Sequence, residues 1–279
     1  MKHQIVKDLV NLAKRFSADD VLALASQLSY SLLLAFFPFL IFLLTLAGFS
    51  PISGSDVLSV LKDILPINAF ALIQNTIIEV FDTKNTNLLS LSLIITIWTA
   101  SSGFNAVIKG LNKAYDENEK RSYFRVQLVA VLCTIALTFI IILTVILLVF
   151  GETIWTAGIK WLGFSTELKY LWDLIRYIII MLSMVFIFAA LYHFTPSRRL
   201  NWKDIMPGAL FSTAGWLIAS FGFAFYVNHF GNYSMLYGSI GAVIILLTWL
   251  FITSIIIILG GEINAVLAFD REGIEKFHK

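Results

Sequence analysis

The sequence predicts an all-α, polytopic membrane protein with six transmembrane helices, both termini cytoplasmic, and amphipathic helices in the first outer loop. Three observations lead there. Six apolar stretches are each long enough to cross a hydrocarbon core of roughly 30 Å at about 1.5 Å per helical residue. The chain is 58% hydrophobic and only 14% charged, with a mean hydropathy of +0.84. A soluble core of 279 residues could not hide that much apolar surface. Finally, Lys and Arg alternate from rich to poor along the connections.

The spans read Val21 to Gly48, Leu88 to Ile108, Val126 to Phe150, Leu174 to Thr195, Ile205 to Val227 and Tyr237 to Leu267. They and their connections use nearly the whole chain, so residues 1–279 read as a single transmembrane domain. The longest interruption, Phe49 to Asn87, has 39 residues. The first span is too long for a cleaved secretory signal, and Phe36, Phe37 and Pro38 continue its apolar run, so it is retained as a helix. Pro38 removes a backbone donor and frees the carbonyl of Leu34, which predicts a kink. Between the first two spans, Val57, Val60, Leu61 and Ile64, then Phe70, Ile73, Ile77 and Phe81, fall at helical spacing around Pro66. Two short amphipathic helices are expected there, as ordinary loop packing or as a lid.

The second span ends with Trp98, Ser101, Ser102, Asn105, Lys109 and Asn112 on one helical face. A polar face on a membrane helix must meet protein or water rather than acyl chains. The third span holds the single cysteine, Cys133, which can form no internal disulfide and reads as a small buried hydrophobe. Trp155, Trp161 and Trp172 in the next loop, and Trp202 before the fifth span, sit where interfacial anchors belong. In the fourth span, Arg176 reads as a snorkelling or lipid-phosphate contact.

The fifth span carries Gly208, Ser212, Gly215, Ala219 and Gly222 at steps of 4, 3, 4 and 3. Such a small-residue face lets helix backbones approach closely, either inside the bundle or as a homo-oligomer seam. The sixth span contains the one carboxylate placed firmly within an apolar run, in Gly260-Gly261-Glu262-Ile263-Asn264. An unpaired carboxylate there is strongly disfavoured, so it needs a basic partner or a proton. The candidate partners are Lys109, Arg121, Arg125, Arg198 and Arg199.

Charge sets the orientation. Fifteen of the twenty Lys and Arg residues fall in the N-tail, Lys109 to Arg125, Pro196 to Asp204 and the C-tail. By the positive-inside rule those segments face the cytoplasm. Topology therefore accounts for the basic loops, and no nucleic-acid partner is needed. Four scattered histidines give no ligand spacing, so no metal or other cofactor is expected. Glycine-rich phosphate loops, nucleophile elbows and helical metalloprotease motifs are absent from the sequence.

Several motifs then come together in order. Gln27-Leu-Ser-Tyr30 leads to Phe37-Pro38. Gly110-Leu-Asn112-Lys-Ala-Tyr115 is followed by Arg121, then by Pro207-Gly208-Ala209, Tyr237-Gly238-Ser239 and Gly261-Glu262-Ile-Asn264-Ala265. Together these resemble the YihY/BrkB family of bacterial inner-membrane proteins, over nearly the whole chain. The resemblance implies a six-helix cytoplasmic-membrane protein, often suggested to be a transporter, and brings no catalytic residues. Members of that family have also carried a ribonuclease BN label. The sequence gives that label no support: its histidines are isolated, and its cytoplasmic loops are too short to build an RNA groove.

The leading expectation is thus a permease or flippase, not an enzyme. Its cytoplasm-facing polar cavity would be lined by Gln27, Tyr30, Asn105, Lys109, Asn112, Glu262 and Asn264, with Glu262 as the coupling group. It would sit among membrane lipids and move a small ion, a solute or a lipid head group. The alternative is a non-transporting scaffold or assembly factor in which the same side chains only tie helices together.

Overall fold

The computed structural model describes residues 2–48, 86–140, 169–230 and 240–272, with single positions at 58, 74, 78 and 142. The described residues form seven helices. They are α1 (Lys2–Ala18), α2 (Val21–Gly48), α3 (Thr86–Ala114), α4 (Tyr123–Ile140), α5 (Lys169–Phe194), α6 (Trp202–Phe230) and α7 (Ile240–Glu272). Helices α2 to α7 each contain a stretch long and apolar enough to span a bilayer. The amphipathic helices expected between the first two spans lie outside the described residues, as do Trp155, Trp161 and the end of the third span.

The boundaries follow from local chemistry. Helix α2 runs through Pro38 to Gly48. Helix α3 extends six residues past the expected Ile108, so Lys109, Asn112 and Lys113 ride on its last turns. Asp20 and Asp116 both adopt φ of 52°, the left-handed conformation that a short polar side chain tolerates, and they turn the chain at the ends of α1 and α3. Helix α1 is amphipathic and lies in the N-terminal segment ahead of the first expected span. It docks on α7 and α2.

Helix α7 is the axis of the bundle, touching α1, α2, α3 and α6, while α2 packs along α3 and α5 along α6. Buried side chains concentrate at one end of the helices: Leu111 and Tyr115, Tyr192, Ile205 and Ala209, and Ile258 and Ala265 are essentially inaccessible. Toward the other end, Trp98, Leu182, Ile218 and Phe221 are exposed, as suits helices bathed in lipid. The buried end is also the basic end. Lys113 pairs with Asp20, Arg121 donates to the Thr195 carbonyl, and Arg271 pairs with Asp204. The chain segments predicted to share one face of the membrane therefore meet at one end of the bundle.

Candidate functional site

The small-residue face of α6 explains why α6 and α7 lie so close. A Cβ on Gly208 would strike the Gly260 carbonyl oxygen and the Asn264 amide, and one on Gly260 would strike the Ser212 and Tyr192 hydroxyls. Gly215 faces Ile256, and only Gly222 looks into open space. The face where a homo-oligomer seam was one expectation is thus largely filled by α7 of the same chain, because the small residues admit its backbone. Around this crossing, Tyr192 Oη lies 2.6 Å from Ser212 Oγ and donates to the Ile257 carbonyl at 2.8 Å. The Gly208 N–H donates to Asn264 Oδ1 at 2.7 Å. This knot fastens α5, α6 and α7 with neutral groups.

One turn nearer the basic end, charge takes over. Glu262 is completely buried, and its Oε2 accepts from Arg15 Nε at 2.9 Å. Arg15 also donates to the Ala114 carbonyl at the end of α3, and stands 3.5 Å from Asp19 and 3.7 Å from Asp116. One guanidinium therefore serves three carboxylates contributed by α1 with its corner, the turn after α3, and α7. The ring of Phe269 lies 5.3 Å from the Arg15 guanidinium and 5.6 Å from that of Arg198, within cation–π range of both. Tyr115 closes the floor against Asn264. Burial, then the proximity of Tyr192, pushes the Tyr115 hydroxyl far above its ordinary range, so it stays neutral.

Beside this cluster, Asn112 ties two connections together. Its Nδ2 donates to Glu119 at 2.8 Å, and its Oδ1 accepts from the Ser197 N–H and hydroxyl at 2.7 and 2.8 Å. Glu119 in turn holds Arg121 through two donors at 2.8 and 2.7 Å. Hydrogen bonds from Arg121, then the Arg121 backbone N–H and Asn112, hold the Glu119 carboxyl at about 2.

The seven residues expected to line one cavity have separate surroundings. Glu262 and Asn264 are buried in adjoining parts of the α7 junction, and Asn112 lies in the network between connections. Asn105 donates to Gln127 of α4 at 3.0 Å. Gln27, Tyr30 and Lys109 lie on the exposed surface, Tyr30 at 60% exposure. The face that Asn105, Lys109 and Asn112 share on α3 is divided because α4 covers its middle and the connection at 195–201 covers its end. The partner of Glu262 is also corrected: Arg15 takes that place. Arg121 is spent on Glu119, while Arg198 stands on the Phe269 ring.

Sequence reasoning missed Arg15, Asp19, Asp116 and Tyr192. The signal for the first two was available, since Val6, Val10 and Ala13 recur at helical spacing among polar residues, and Arg15 and Asp19 are four apart. Elsewhere, Arg176 meets Asp173 at 3.5 Å and the Tyr177 ring at 5.4 Å. His193 stacks on Trp202 with ring centroids 4.8 Å apart, and Cys133 is half-buried against the core.

Comparison with known proteins places this geometry. A family model described as Virulence factor BrkB matches residues 12–277. Among relatives, the YfkH protein of Bacillus subtilis, whose name includes the words ribonuclease-like, is 40% identical over 259 residues, covering 93% of this chain and 94% of its own. A UPF0761 membrane protein of Aggregatibacter aphrophilus is 24% identical over 263 residues, covering 91% of this chain and 90% of its own. Another, of Pseudoalteromonas atlantica, is 24% identical over 282 residues, covering 98% and 89%. No solved structure matches at a significant level.

Proposed function

The chain belongs to the BrkB family of membrane proteins, and on that premise we propose that it is a permease or flippase of the cytoplasmic membrane, held here with its basic end closed. The observation that carries this reading is the junction of α1 and α7, where the Arg15 guanidinium stands against Asp19, Asp116 and Glu262. Charges gathered in a place with little water are costly to keep, and ionisable groups kept within membrane spans commonly mark ion pathways. The packing concentrated at the basic end supports a gate on that side. The bias of fifteen basic residues supports placing that end in the cytoplasm.

The cargo this arrangement favours is a lipid head group. Gln27, Tyr30 and Lys109 offer polar contacts on the outside of α2 and α3, where a head group can travel along the protein rather than through it. The test is reconstitution into vesicles of phosphatidylethanolamine and phosphatidylglycerol, following fluorescent phospholipid analogues together with ion-sensitive dyes. Movement should rise well above protein-free vesicles and fall at least tenfold in Glu262→Gln. Flux equal to protein-free vesicles for every probe overturns the reading. A second reading, a scaffold that transports nothing, is favoured by the separate surroundings of the seven polar residues, and it predicts that equality.

A further inference from the structure

The corner between α5 and α6 carries an aromatic shelf whose outer side is exposed. Trp202, the first residue of α6, lies across the end of α5: its ring stacks on His193 with centroids 4.8 Å apart and 24° between planes, and on Phe186 at 6.2 Å and 12°. Phe194, the last residue of α5, meets the same indole edge-on at 6.3 Å. The His193 ring is itself fixed, since its Nδ1 lies 2.9 Å from the Leu200 carbonyl oxygen. Phe186 and His193 are seven residues apart, about 10 Å along the helix, so the shelf runs from within the apolar span to its basic end. Phe186, Phe194 and Trp202 all remain exposed.

The cations beside this shelf take no part in holding the bundle together. Arg15, Lys113, Arg121 and Arg271 each pair with an acid, and Arg198 stands on the Phe269 ring. Arg199 and Lys203, on either side of Trp202 in the chain, are exposed and make no ion pair among the described residues. Asp204, the acid of the same turn, is taken by Arg271 and Asn201. Positive charge therefore stands uncompensated next to exposed rings. The indole N–H of Trp202 likewise meets no acceptor among the described residues.

We infer that this corner is a binding site for one anionic phospholipid of the adjoining leaflet, its phosphodiester held by Arg199 and Lys203 and its glycerol backbone and upper acyl chain laid on Trp202, Phe194 and Phe186. An indole at the bilayer border keeps its ring against acyl chains and turns its N–H to polar groups, here the lipid's ester carbonyls. Lys and Arg at that depth draw anionic lipids by charge, whereas a zwitterionic head group brings an ammonium that they repel. Free phosphate would engage the two cations and leave the rings idle. A second copy of this chain, docked by the same face, would set like charges against one another. The inference does not rest on the transport reading.

Native mass spectrometry of the full chain, released from detergent with added phosphatidylglycerol or phosphatidylethanolamine, tests the site. One phosphatidylglycerol should bind more tightly than phosphatidylethanolamine, by about fivefold for each of the two cations. Arg199→Gln and Lys203→Gln should each lose about fivefold of that preference and the double substitution should abolish it, whereas Lys120→Gln, which removes an exposed cation at the same end, should keep it. Trp202→Leu should weaken both lipids alike, and Arg199→Lys with Lys203→Arg should bind as wild type does. If the double substitution fails to fold, the single ones carry the test. Equal binding of the two lipids by wild type overturns the site, as does a preference that survives the double substitution or falls as far in Lys120→Gln. Displacement of the lipid by inorganic phosphate overturns it in favour of a bare anion site. A lipid-free dimer that Trp202→Leu separates overturns it in favour of a second copy.

Discussion

Two buried polar clusters lie about a turn apart on α7, and they are built on opposite principles. Around Tyr192, Ser212 and Gly260 the groups are neutral, and hydroxyls and carbonyls meet at hydrogen-bonding distance. Around Arg15, Glu262, Asp19 and Asp116 the groups are charged, and one guanidinium stands against three carboxylates. A neutral, satisfied network in a low-dielectric interior rigidifies. A charged one keeps its geometry only while its arginine stays in place. The first suits a fixed hinge point, and the second suits a latch.

The sharpest way to break the contrast is Arg15→Ala. It takes the guanidinium from the fully buried Glu262 carboxylate and should cost about 3–5 kcal/mol, measured as unfolding in detergent, whereas Arg15→Ala combined with Glu262→Gln should recover a large part of that loss. Full additivity of the two substitutions would show that the latch does not act as a unit. Next in size is Gly208→Ala, which drives a methyl group into the Gly260 carbonyl and the Asn264 amide. It should cost about 1–3 kcal/mol or more by overpacking, and no change of pH should relieve it. Tyr192→Phe removes the bonds to Ser212 and the Ile257 carbonyl and should cost about 1 kcal/mol, again without pH dependence.

The smallest expected effect lies at the edge of the charged region. The Glu119 carboxyl is held at about 2, below its ordinary 4.5, by Arg121 and then Asn112. Its contribution is complete above pH 4.5 and should be lost as the pH falls toward 2, because the unfolded chain takes up the proton first. Glu119→Gln should flatten the stability profile in that window and leave it unchanged near neutrality. A profile identical to wild type below pH 4.5 would show that the Asn112 network contributes nothing there.

The six spans were legible because length and hydropathy are local properties. The end shared by Lys109 to Arg125, Pro196 to Asp204 and the N-tail was legible because charge bias is a simple count. Glu262 stood out for the same reason, as an acid in an apolar run. Its partner did not, since Arg15 and Glu262 are 247 residues apart, and only the docking of α1 on α7 brings them together. The grouping of Gln27, Asn105 and Glu262 failed on a related point. Helical spacing says which residues share a face, but not how many neighbours divide it, and α4 and the connection at 195–201 take different parts of the face of α3.

The left-handed corner at Asp116 places stability and use in conflict. Glycine at that position would relax the backbone, a gain of roughly 1 kcal/mol, and would also delete one anion from a crowded site. A lineage selected for sturdiness alone would drift toward that exchange. Keeping the acid there instead retains a carboxylate 3.7 Å from the Arg15 guanidinium, so the bend exchanges backbone ease for an ionic contact between α1 and the turn after α3.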